Sequence, residues 1–200
     1  MRSSLPRIIL ASQSPRRKML LEWAEVDFEV IVKHTDEIED PTLPIDQVPV
    51  AIAREKALAV KKELTRWDES RTENSNHLPI LAADTIVVLN NHIIGKPASR
   101  EDAVHFLLQL SGQTHEVITG VCLMTATETF EFADTTSVTF HELTQQQIEY
   151  YVDKYEPYDK AGAYAIQEWI GVTGIKSIQG DFYNVMGLPV SRVLQLLKEL

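Results

Sequence analysis

From Leu78 to Leu89 the chain is an apolar run broken only by Asp84 and Thr85. A β-branched run of this length predicts a strand covered on both faces, so helices must lie on each side of its sheet. Asn90-Asn91 then predicts a hairpin turn into a short strand at His92-Ile93-Ile94. The same run raises a question of charge. A carboxylate buried unpaired in such a strand costs several kcal/mol, so Asp84 must be neutralised, paired with a cation, bound to a metal or open to a cleft. A structural arginine would meet that need as well as a catalytic setting would.

The second constraint lies near the N-terminus, in Ile8-Ile9-Leu10-Ala11-Ser12-Gln13-Ser14-Pro15-Arg16-Arg17-Lys18. It predicts a short buried strand, a tight polar turn and the start of a helix. Ser14 suits the N-cap, and Pro15 suits the first helical position, where no backbone N–H is needed. Arg16, Arg17 and Lys18 then put positive charge at the positive end of the helix dipole. An anion held there would remove the conflict, because free N–H groups, dipole and guanidinium forks would converge on it. A solvated basic turn is the plainer reading.

The remaining elements follow from periodicity and caps. Met19, Leu20 and Trp23 give the first helix an apolar face, and Phe28–Val32 reads as a strand. An acidic loop, Thr35–Pro41, precedes a helix expected over Ile45–Leu64, and the polar stretch Thr65–His77 reads as a surface insertion. Ser99 opens a helix closed by Gly112, with Phe106, Leu107 and Leu110 inside. His115–Thr125 and Thr129–Phe140 are two β stretches, and Thr144 caps a helix reaching about Tyr155. Glycine-rich turns are expected around Val172–Ile178, and a last helix from Pro189 packs Val193, Leu194 and Leu197. The mixed alternation of strands and helices makes the class α/β, with a mixed, twisted sheet.

Charge narrows the partners. A net charge of −10 over 200 residues leaves no basic footprint for nucleic acid or an anionic membrane. A polyphosphate still fits, given local basic residues and a divalent cation. Cys122 is the single cysteine and lies in the apolar run Val121–Met124, so it reads as an inert core thiol. With no secretory signal and no span of membrane length, the expected location is the cytoplasm.

Several further residues are candidates for chemistry. Glu37, in the acidic loop, is a candidate second metal ligand beside Asp84, and hard oxygen donors of this kind suit Mg²⁺ or Mn²⁺. Lys56 reads by default as a solvated helix position, whereas Lys96, in Gly95-Lys96-Pro97, sits in a rigid turn that can aim an ammonium. His115 reads as a satisfied structural histidine. The segment Glu156–Gln167 mixes small residues with Asp159, Lys160 and Gln167, and an amide such as Gln167 carries the donor and acceptor that reading a base edge requires.

Together these pieces resemble the Maf nucleotide pyrophosphatases over nearly the full length. The matching blocks are Ala11–Arg17, Ala53–Ala57, Ala83-Asp84-Thr85, Gly95-Lys96-Pro97, Ser111–His115, Asp159–Gln167 and Asn184–Pro189, in the family's order. The resemblance implies hydrolysis of nucleoside triphosphates to monophosphate and pyrophosphate. It also implies an elongated α/β fold, related in outline to the inosine-triphosphate pyrophosphatases: one domain spanning residues 1–200, in two lobes around a deep central cleft.

By motif match Asp84 takes the proton-acceptor position, and Arg16, Thr85 and Gln167 take the positions that separate substrate subgroups, here in the pattern of the dTTP/UTP branch. Ser12, Ser14, Arg16, Arg17, Lys56 and Lys96 are the expected phosphate ligands, and Glu37 and Asp84 the expected metal ligands. Homodimers are frequent in that family. Ala165 departs from its pattern, standing where glycine is frequent, and the 65–77 stretch is long. A division-arrest regulator without catalysis, or a purine-directed enzyme on the related fold, are the competing readings.

Overall fold

A computed structural model describes residues 5–35, 42–68 and 78–200. Its elements run β1 (Ile8–Leu10), α1 (Pro15–Trp23), β2 (Phe28–Val30), α2 (Val48–Asp68), β3 (Ile80–Leu89), β4 (His92–Ile94) and α3 (Arg100–Leu110). They continue through β5 (Thr114–Met124), β6 (Thr129–Phe140), α4 (Gln145–Tyr155), α5 (Trp169–Gly174), β7 (Ile175–Gln179), α6 (Phe182–Met186) and α7 (Val190–Glu199). The strands form one seven-stranded sheet in the order β2-β1-β3-β5-β6-β7, with β4 paired to β3. β1 is parallel to β2 and β3, while β3–β4 and β6–β7 are antiparallel, so the sheet is mixed as expected.

The chain divides into two compact units. Unit 1 comprises residues 1–84, 119–133 and 187–200, and unit 2 comprises 85–118 and 134–186. In unit 1 the core lies where α2 covers the sheet. Ala53, Ala57, Val60 and Leu64 make one stripe of the helix, packed on Ile9, Ala11, Ile80, Ala82, Cys122 and Met124. Small side chains on α2 let the helix sit low on the strands. The closest approach is at Gly120, where a Cβ would stand 2.2 Å from the Pro49 carbonyl carbon and the Val50 nitrogen. In unit 2, α3 and α4 pack on each other, burying Ala103, Leu107, Leu110, Ile148, Tyr151 and Val152.

Local chemistry accounts for the ends of these elements. Ser14 accepts from the Arg17 N–H and caps α1 with Pro15 at its first position, and Ser99 accepts from the Asp102 N–H to cap α3. Thr144 and Gln147 form a full capping box on α4. Asn90 and Asn91 both have positive φ, 50° and 65°, as a two-residue hairpin of this hand requires.

Several expectations are corrected. α2 begins later and runs four residues further than expected, to Asp68, so the start of the 65–77 stretch is helical; residues 69–77 lie outside the described residues. β2 stops at Val30, although the Ile31 N–H still donates to the Leu10 carbonyl. The glycine-rich stretch around Val172–Ile178 forms α5 and β7 rather than turns, because pairing with β6 extends its backbone from Ile175. Trp23 is 62% exposed, since α1 buries Arg17, Leu20 and Leu21 instead.

Gly120→Ala forces the start of α2 off the sheet and should destabilise the protein by about 1–3 kcal/mol, the usual cost of overpacking a core. Urea unfolding measures this directly, and an unchanged midpoint would show that α2 does not need so close an approach.

Candidate functional site

Unit 1 assembles its functional side chains from three elements. β3 alternates, so Ile80, Ala82 and Asp84 share one face, and the first two of these pack under α2. Lys56 lies one position before Ala57 on that helix, at the edge of its buried stripe. Its Nζ donates to Asp84 Oδ1 at 2.6 Å. The two side chains keep only 22% and 15% of their surface exposed, so the pair is largely withdrawn from water. Asp84 is thus paired with a lysine rather than an arginine. Lys56 is likewise not the solvated helix residue its position suggested.

The turn between β1 and α1 supplies the second part. It leaves the C-terminal end of a parallel strand and enters a helix N-terminus, where open α/β sheets receive anions. Ser12 is buried, and its Oγ accepts from the Ser14 N–H at 3.3 Å and from Arg17 Nη1 at 3.0 Å. Arg17 is buried too and donates through Nε to the Gly187 carbonyl at 2.7 Å, fastening the turn to the segment before α7. Burial lowers the Arg17 pKa to about 10, opposed by the nearby charge of Asp84 and reinforced by that of Arg16. The guanidinium still keeps its charge at neutral pH. Ser12, Ser14, Arg16, Arg17, Lys56 and Asp84 therefore all belong to unit 1, and the field of Asp84 reaches Arg17. Glu37 lies outside the described residues.

Thr85, Lys96 and Gln167 belong to unit 2. Lys96 is exposed, and its turn is anchored by the Gly162 N–H, which donates to the Gly95 carbonyl at 3.0 Å. Gly162 holds φ at 69° with Val87 methyls against it, so a side chain there would be both strained and crowded. Gln167 is exposed, at the end of a buried run from Gly162 to Ile166.

Two buried groups support this segment, of which the sequence singles out only Lys160. Tyr151 of α4 bonds to both Ala165 and Glu168, and Lys160 is buried between Asp159 and Glu168. His115 is buried, with Nε2 2.7 Å from the Tyr164 hydroxyl and its ring stacked on Phe140. It is only half satisfied, because Nδ1 has no hydrogen-bond partner among the described residues. Cys122 is fully buried, and burial raises its thiol pKa to about 12, which makes it the inert core thiol the sequence indicated.

A cation bound here would draw on hard oxygens. Among the described residues no three His, Cys, Asp or Glu side chains cluster, and Asp84 is the described member of the expected pair. One carboxylate with substrate phosphates suits Mg²⁺ or Mn²⁺, which are held by few protein ligands.

A family model described as Maf-like protein matches residues 7–200. A dTTP/UTP pyrophosphatase of Parabacteroides distasonis is 46% identical over 193 residues, covering 96% of this chain and 95% of its own length. Proteins of the same description from Phocaeicola vulgatus and Bacteroides thetaiotaomicron are 46% and 45% identical, each over 97% of this chain and 96% of theirs. Among solved structures, a Ham1 protein of Staphylococcus aureus is 16% identical with a TM-score of 0.43, over 67% of this chain and 71% of its own.

Burial lowers the His115 pKa from the ordinary 6.5 to about 4. Between those values the unfolded chain binds up to one proton more than the folded one, so stability falls as the pH falls. From pH 6.5 to 5 this group should remove about 1 kcal/mol per pH unit, and His115→Phe should flatten that part of the dependence. Urea unfolding at several pH values checks it, and identical slopes for the two proteins would show that the ring does not titrate this way.

Proposed function

The chain belongs to the Maf family, and from that premise we propose that it is a nucleoside triphosphate pyrophosphatase that cleaves dTTP and UTP between the α- and β-phosphorus. The observation that carries this reading is 46% identity, over 96% of the chain, to a dTTP/UTP pyrophosphatase. No described helix is long and apolar enough to cross a membrane.

The roles of the residues follow from their chemistry. Asp84 accepts a proton from the attacking water, which adds to the α-phosphorus as pyrophosphate departs with the bridging oxygen. Lys56 holds the Asp84 carboxylate in place through its 2.6 Å hydrogen bond and sets a positive charge beside the phosphates. Ser12, Ser14 and Arg16 bind phosphate at the N-terminus of α1. Arg17 adds its charge from below, through the Ser12 hydroxyl that it holds. In unit 2, Lys96 neutralises phosphate charge, while Thr85 and Gln167 select the substrate. Asp84 and Glu37 are the residues that would hold Mg²⁺ or Mn²⁺. Bound there, the cation would offset phosphate charge that a protein of net charge −10 cannot offset alone.

A panel of normal and modified nucleoside triphosphates, supplied with Mg²⁺ or Mn²⁺ and followed by pyrophosphate release, tests the proposal. Turnover of dTTP and UTP to monophosphates, well ahead of GTP and ATP, is the expected result; a protein that leaves every triphosphate intact would favour the regulator reading. Arg16→Ala removes a charged hydrogen bond to phosphate and should raise KM roughly tenfold to a hundredfold. An unchanged KM would take Arg16 out of the phosphate site.

A further inference from the structure

We propose that a buried polar network centred on Tyr151 positions Gln167 and thereby sets which nucleobase is accepted; this rests on the reading of Gln167 as the base-selecting residue. Gln167 stands exposed on a tight turn. The turn is closed by the Glu168 N–H on the Ala165 carbonyl at 3.1 Å and by the Gly171 N–H on the Glu168 carbonyl at 3.0 Å. A Cβ at Gly171 would lie 1.7 Å from the Ile166 carbonyl oxygen, so the chain here has no slack.

Tyr151, fully buried on α4, grips this turn on both sides of Gln167. Its hydroxyl accepts from the Ala165 N–H at 3.2 Å and donates to Glu168 Oε2. Glu168 Oε1 faces Lys160 Nζ at 3.6 Å, and the same ammonium donates to Asp159 Oδ1 at 2.7 Å. Lys160 is itself buried, so the carboxylates on either side balance its charge. On the N-terminal side Tyr164 is fixed through its hydroxyl to His115 and edge-on against Phe140. Residues 164, 165 and 168 are thus held by buried polar groups, while residue 167 alone projects outward.

Such a network gives geometric precision more than stability. Well-packed apolar residues would be about as stable in its place, because desolvating a lysine, a carboxylate and a phenol offsets most of what their pairing returns. An amide that must tell one base edge from another needs its donor and acceptor held to within about half an ångström, which a loop achieves only through a rigid supporting shell. Tyr151, Glu168 and Lys160 are therefore positioning residues: none needs to touch the nucleotide.

The test compares kcat and KM for UTP and GTP in the wild type, Tyr151→Phe, Glu168→Ala, Glu168→Gln and Gln167→Ala, with unfolding midpoints alongside. In Tyr151→Phe, which removes both hydrogen bonds of the hydroxyl, the UTP preference in kcat/KM should fall by about tenfold or more, through KM for UTP and with kcat nearly unchanged. Glu168→Gln keeps an acceptor for the Tyr151 hydroxyl and should hold the preference that Glu168→Ala loses, which keeps the inference testable if Tyr151→Phe fails to fold. An equal loss on both nucleotides, or equal effects of the two Glu168 substitutions, would make the network merely structural and overturn the inference. Gln167→Ala separates the two levels. If it leaves the preference intact, the base-selecting reading and the network fall together; if it abolishes the preference while Tyr151→Phe does not, only the network falls.

Discussion

The hydrogen bond between Lys56 and Asp84 is the contact on which the rest of unit 1 depends. A carboxylate on a strand whose neighbours are nearly all buried is a liability unless a cation meets it. The lysine arrives because α2 lies low on the sheet, which in turn requires alanines at 53 and 57 and no side chain at Gly120. Packing and electrostatics are therefore one problem here: the stripe that covers Ile80 and Ala82 also delivers the ammonium to Asp84. Breaking that pair by removing the lysine would leave an uncompensated half-buried charge, which costs far more than losing a surface ion pair.

Around this pair the polar groups are held from behind. Arg17 spends its guanidinium on Ser12 and the Gly187 carbonyl, so a residue of the basic first turn also acts as a brace for the loop that precedes it. In unit 2 the same device recurs with different groups, as Tyr151 and Lys160 hold the turn that carries Gln167. In both places a polar turn, at Ser12 in one and at Gln167 in the other, rests on buried charged or phenolic support. That is the arrangement expected where position matters more than the net stability of the contact.

What the sequence discloses of this chain is what local chemistry controls. The caps at Ser14, Ser99 and Thr144, the Asn90-Asn91 hairpin and the twice-covered strand at Ile80–Leu89 each follow from a few adjacent residues. The isolation of Asp84 within that strand was equally plain, but its partner was not, because Lys56 lies 28 positions away and looks like any helix-surface lysine. Arg17 reads as a phosphate ligand or a solvated charge of the first turn, and its burial beside the distant Gly187 carbonyl is not visible locally. β7 is not legible locally because its extended backbone is set by pairing with the distant β6. Tyr151 sits on the apolar stripe of α4 with Ile148 and Val152, so nothing local distinguishes its hydroxyl from packing.

The central claim, that Asp84 is the proton acceptor held by Lys56, is tested most directly by kcat for dTTP and UTP in Asp84→Asn. The amide keeps the side chain's shape and removes its capacity to take a proton. The expected result is a fall in kcat of about a hundredfold or more, the scale of a lost general base, in a protein whose unfolding remains cooperative. Turnover within a few-fold of the wild type would contradict it.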